Sequence, residues 1–124
     1  MKKFSLTAMA RYQMQRAAQV SSGRSATTVF GGHEHTLRQT VIGLAAGTEL
    51  KEHVNPGEAT ILVLSGRIRL TSGDEHWEGR TGDLLVLPSG NSQITALEES
   101  GILLNVAKID RRNAQANPES DPKD

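Results

Sequence analysis

The sequence predicts an all-β domain, a sandwich or barrel of short strands, preceded by a single helix. Three observations predict it. From Thr27 onward, short β-prone runs alternate with glycine and proline breakers, and no helical segment separates them. Inside the runs apolar and polar residues alternate, as in Arg67-Ile68-Arg69-Leu70, which puts two side chains inward and two in water. Only residues 5–19 carry apolar spacing near 3.6, through Leu6, Met9, Ala10, Gln13, Met14, Ala17 and Ala18.

The elements follow in order. Ser5 or Thr7 caps the helix and Ser21-Ser22-Gly23 stops it. Its apolar face is thin, so it needs a surface to pack against. Strands are expected at Ala26–Phe30, Leu37–Ala45, Thr48–His53, Thr60–Leu64, Arg67–Thr71, Glu75–Gly79, Asp83–Leu87, Ser92–Leu97 and Gly101–Ile109. The breakers are Gly31-Gly32, Gly47, Pro56-Gly57, Gly66, Gly73, Gly82 and Pro88-Ser89-Gly90. Ile61-Leu62-Val63-Leu64 is apolar on both faces and belongs centrally or at a subunit contact. Residues 111–124 have no periodicity and little to bury, and read as a disordered tail. The expected division is a helical extension at 1–25, a β-domain at 26–110 and the tail.

Composition narrows the class. The 124 residues suit one domain, with 36% hydrophobic and 23% charged residues. The absence of cysteine excludes disulfides, thiolate metal sites and cysteine nucleophiles, and fits a cytoplasmic protein. Met1-Lys2-Lys3-Phe4 is followed by Ser5, Thr7 and Arg11 rather than an apolar run, so neither a secretory peptide nor a membrane span is expected. Net charge is zero, yet Lys2, Lys3, Arg11, Arg16 and Arg24 all precede the first acid, Glu34. With no recognition helix and no interleaved aromatics, these read as a solvated helix face and not a nucleic-acid surface.

Glycine and proline spacing carries a resemblance. Gly47, His53, Asn55, Ala59 and Gly66 follow the pattern Gly-x5-His-x-His-x3-Glu-x6-Gly; Gly82, Pro88, Gly90, Gln93 and Leu97 follow Gly-x5-Pro-x-Gly-x2-His-x3-Asn. Neither motif needs a gap. Together with the strand pattern they resemble the cupin family over about residues 36–109. The stretch from Leu50 to Thr60, with its His-x-x-Pro-Gly-x-Ala-Thr turn, is similar to small bacterial cupins, as is Leu97–Leu104. The resemblance implies a double-stranded β-helix, a jelly-roll barrel, homodimeric, with a pocket between its sheets.

It also implies where a metal would sit, and the residues there have changed. A typical cupin ion is held by the two histidines and glutamate of the first motif and the histidine of the second. In register those positions are His53, Asn55, Ala59 and Gln93, of which only His53 is a strong ligand. No metal and no other cofactor is therefore expected. The polar set His53, Asn55 and Gln93 suits a small organic ligand instead, and His53 is the one member able to act as a base near neutrality. Glu58 lies one residue before the expected glutamate and should turn to the opposite face. His33 and His35 would share a face if extended, whereas His76 reads as a hairpin surface residue and Trp77 as an edge or dimer contact.

Three functions compete on these residues. The first is metal-free binding of a small molecule. A second is a regulatory or structural homodimer. The third is a metal-dependent dioxygenase or isomerase using His53 with His33 and His35 or with Glu58.

Overall fold

The computed structural model describes residues 1–54 and 57–108, except the side chains of residues 52–54 and 57. Helix α1 spans Leu6–Ala17, and nine strands follow among the described residues: β1 Arg24–Phe30, β2 Leu37–Leu44, β3 Glu49–Val54, β4 Gly57–Ser65, β5 Arg67–Ser72, β6 Glu75–Arg80, β7 Leu84–Val86, β8 Asn91–Ala96 and β9 Ser100–Lys108. The tail expected at 111–124 lies outside the described residues.

The strands form two antiparallel sheets, ordered β1-β2-β9-β4-β7 and β3-β8-β5-β6. The expected closed barrel is not what forms. Pairing in the first sheet ends at β1 and β7, and in the second at β3 and β6, so each sheet keeps free edges. The architecture is an all-β double sheet of cupin type with a short N-terminal helix, but it is not closed into a barrel. The chain changes sheet at sharp corners, so side chains rather than a continuous ladder join the layers. At one corner, between β4 and β5, Gly66 has φ +96°, and a Cβ there would collide with the Glu99 carbonyl.

Two cores result from the alternation. Ile42 and Leu44 of β2, Ile61 and Val63 of β4, Ile68 and Leu70 of β5, Ile94 and Ala96 of β8, and Ile102 of β9 pack between the sheets. Each such aliphatic side chain contributes roughly 1.5–3 kcal/mol by leaving water. On the outer side of the five-stranded sheet, Val41 and Leu103 pack with Ala10 of α1, joined by Leu6, Met9, Val29, Leu62 and Leu64. Thus the doubly apolar run 61–64 serves both cores.

The helix is placed by a few specific contacts. The Ser5 hydroxyl accepts from the Ala8 N–H at 3.2 Å, capping its start. Ser25 of β1 donates to Gln13 Oε1 at 2.5 Å, which satisfies a buried amide on the helix underside. Below it, Gly43 and Gly101 face each other across β2 and β9, and their missing side chains let the helix come close.

Candidate functional site

The site expected from the motifs lies at one end of the space between the sheets. Two rows of paired residues and the strand facing them define it. Arg38, Val106 and Ala59 pair in turn across β2, β9 and β4; Thr40, Leu104 and Ile61 form the next row inward. Facing them, β8 presents Ser92, Ile94 and Ala96, all buried, in strict alternation with Asn91, Gln93 and Thr95.

Ala59 occupies the position of the family glutamate and is only 6% exposed, a methyl group where a carboxylate would be. Glu58 pairs with Ala107 on the opposite face and is exposed, as the one-residue step requires. The backbone of His53 belongs to β3, where Lys51 pairs with Gln93 and Val54 with Asn91. Between those pairs β3 therefore has two residues, 52 and 53, where β8 has only Ser92, a bulge. The His53 side chain and the whole of Asn55 lie outside the described residues.

Gln93 is placed differently from what the motif spacing suggests. Its strand neighbours Ser92 and Ile94 are buried, so Gln93 turns to the outer face of the four-stranded sheet, half-buried between Lys51 and Thr71. There it helps line an open depression of about 370 Å³ with Lys51, Thr71, Gly73, Asn91 and Ser92. The residue on the inner row is Ser92. The cause is core burial: Ile94 and Ala96 must face inward, and a period of two then carries Ser92 in and Gln93 out. That alternation is readable in Asn91-Ser92-Gln93-Ile94-Thr95-Ala96 and outranks the spacing from Gly90.

The other histidines do not converge. His33 and His35 are exposed in the β1–β2 connection, where the His35 ring meets Phe30 edge-on at 4.9 Å and the backbone N–H of His35 donates to the Gly32 carbonyl. His76 is exposed on β6, and Trp77 beside it is 48% exposed, on the row of Leu70. Among the described residues no three His, Asp or Glu side chains approach one point.

Sequence reasoning passed over two residues. Arg38 shares the inward face of β2 with Thr40, Ile42 and Leu44, and Ser92 is the buried hydroxyl of β8. Adjacent apolar residues Val41 and Ile42 hide the phase of β2, because the helix buries one face and the core the other.

Two facing antiparallel sheets, with glycine corners and a polar end between them, define the architecture of a cupin. The Cupin domain family matches residues 40–96, and the chain shares the fold of cupin-superfamily structures. It is similar to a conserved protein of unknown function from Streptococcus pyogenes, at 26% identity over 88% of this chain and 89% of that one, with a TM-score of 0.67. An RmlC-like cupin protein from Desulfovibrio desulfuricans gives 24% identity over 86% and 96%, TM-score 0.67. The salicylate 1,2-dioxygenase of Pseudoaminobacter salicylatoxidans shares the fold at 20% identity, covering 93% of this chain and 35% of that one, TM-score 0.70. No curated protein matches the chain.

Proposed function

We propose that this cupin is a non-catalytic cytoplasmic protein that binds a small organic molecule between its sheets without a metal, and that it acts as a homodimer. The observation that carries the first part is Ala59. A strong divalent site needs a carboxylate or imidazoles to offset the loss of water from the ion. Here the inward glutamate position is a buried methyl, and the nearest carboxylate in sequence, Glu58, is on the far side of the strand. The inner surface keeps aliphatic walls from Leu50, Leu87, Leu104 and Val106 with a few polar groups, the composition of a small-molecule site. His53, Asn55 and Gln93 remain candidate ligand contacts.

Support for the homodimer is the part of the five-stranded sheet that α1 leaves bare, rich in apolar side chains and closed on neither edge. No described helix is long and apolar enough to cross a membrane.

Elemental analysis of protein purified without a metal-affinity step tests the metal-free reading. The expected result is no stoichiometric Fe, Mn, Zn or Ni. One equivalent that disappears in His53→Ala would overturn it and restore the metal-dependent alternative. Native mass spectrometry of the same preparation tests binding directly, through a small-molecule adduct that is lost on denaturation.

A further inference from the structure

We infer that the ligand is a small organic anion, a carboxylate on an apolar body, held at the open end of the sheets by Arg38 and Ser92. The inference rests on the binding reading above and adds the charge of what is bound.

Arg38 is directed by its strand. Ile42 and Leu44 point into the core between the sheets, so the period of two brings Thr40 and Arg38 to the same face. Gln39 points the other way, where its Nε2 donates to Asn105 Oδ1 at 2.9 Å. Arg38 stands on the row of Val106 and Ala59, two strand spacings or about 10 Å from the vacated glutamate position. A long guanidinium side chain and a small ligand span that distance. The ion pairs of the described residues belong to Arg67 and Arg69, so the Arg38 guanidinium is left uncommitted.

Ser92 supplies the second, independent observation. It is 7% exposed, yet its hydroxyl makes no hydrogen bond among the described residues. A buried hydroxyl normally finds a partner, because leaving the bond unmade is costly. A ligand oxygen at this spot would complete it.

The surrounding charge selects an anion. The inward rows of β2, β4, β8 and β9 contain no Asp or Glu: they run Arg38, Thr40, Ile42, Leu44; Ala59, Ile61, Val63; Ser92, Ile94, Ala96; and Ser100, Ile102, Leu104, Val106, Lys108; the acid on the inward face of the described strands is Glu75, exposed at the β6 edge and paired with Ser72. Lys108 adds a second positive charge, with its Nζ on the Gly32 carbonyl at 3.4 Å. Where a metal cupin collects negative charge for a cation, this end collects positive charge beside aliphatic walls. A guanidinium takes a carboxylate in a forked pair, and Leu87, Leu104 and Val106 suit an apolar body.

Benzoate and its neutral match benzyl alcohol are the probes, followed by backbone amide NMR. Saturable shifts at Ala59, Ser92 and Val106 are expected with benzoate. Arg38→Gln should weaken benzoate by about tenfold or more while leaving benzyl alcohol unchanged, and Arg38→Lys should recover part of the loss. Arg38 is exposed, so an unaltered melting curve is expected of both variants. If benzyl alcohol binds as well as benzoate, or Arg38→Gln changes nothing, the anion is wrong while a ligand in the cleft stands. A cleft that takes neither probe overturns this inference, and the binding reading then rests on the native mass spectrum alone.

Discussion

Gly43 and Gly101 determine how close α1 can approach, and they are not equivalent. A Cβ on Gly43 would meet the backbone of Gln13 and Met14, which cannot move without shifting the helix. On Gly101 it would meet the Ala10 Cβ at 3.0 Å and the Met14 Sδ at 3.1 Å, and a methionine side chain can turn aside. Gly43→Ala should therefore cost about 1–3 kcal/mol in urea unfolding, and Gly101→Ala distinctly less. Equal losses, or none at Gly43, would show that the helix is not seated on this floor. At this scale the candidate site was half legible. Ala59 inward and Glu58 outward follow from one step along a strand, and both are found there. Gln93 was drawn inward by motif spacing, whereas the buried pair Ile94 and Ala96 fixes the opposite phase.

Among the elements, the outer face of the β5–β6 hairpin carries an ion network. Arg67 Nη1 and Arg69 Nη2 each donate to Glu78 at 3.1 Å, and Arg67 Nε reaches Glu98 at 3.2 Å. The hydrogen bond from Arg69, with that from Arg67 and both positive charges, holds the Glu78 carboxyl below its ordinary value. A depressed folded pKa contributes stability above the unfolded value and loses it as pH falls through the folded one. Glu78→Gln should thus be less stable than wild type near neutrality. The difference should shrink below the usual glutamate range and weaken in high salt, as expected for solvent-facing pairs. Urea midpoints at neutral and acid pH, with and without added salt, measure it; a gap that persists in acid would assign the effect to packing. The strands themselves were largely legible. All nine appear near their expected places, the largest difference being β4, which starts at Gly57 and not at Thr60 because Pro56-Gly57 reads as a breaker. Glycine in a strand start costs only propensity, and pairing of Gly57 with Lys108 and Glu58 with Ala107 outweighs it.

At the scale of the molecule, the bare part of the five-stranded sheet asks for a partner. Phe30, Leu37, Leu84 and Val86 lie on its outer rows at 44%, 40%, 57% and 72% exposure, with Phe4 beside Phe30. They stand toward the two edges of the sheet, on either side of the polar row Gln39, Asn105 and Thr60. Between them Gln39 donates to Asn105 and Asn105 donates to Thr60 at 3.2 Å, so the polar ladder is satisfied within the sheet and tolerates loss of water. A second copy of the chain, meeting face to face about a two-fold axis, covers such a face, whose rows carry one charge among the described residues, Glu58 paired with Ala107. Light scattering should give a dimer mass at micromolar concentration. The pair Leu84→Glu and Val86→Glu should give a folded monomer, while Trp77→Glu on the other sheet should remain dimeric. A monomeric wild type, or a dimer indifferent to both glutamates, would sink this interface.

Residue order alone determined which segments are strands, where the chain turns, that one helix precedes them, and that the cupin metal set is broken. These follow from local rules: alternation, glycine and proline positions, and the chemistry of single side chains. Whether the sheets close was decided only by the tertiary structure, because a period of two tells which side chains face inward and nothing about whether edge strands pair. Closure was expected, and two open sheets form instead. The phase of β2 and β8 was likewise settled by packing. With the helix burying one face of the five-stranded sheet and the core the other, only the three-dimensional arrangement brings Arg38 and Ser92 to the same end of the cleft as Ala59.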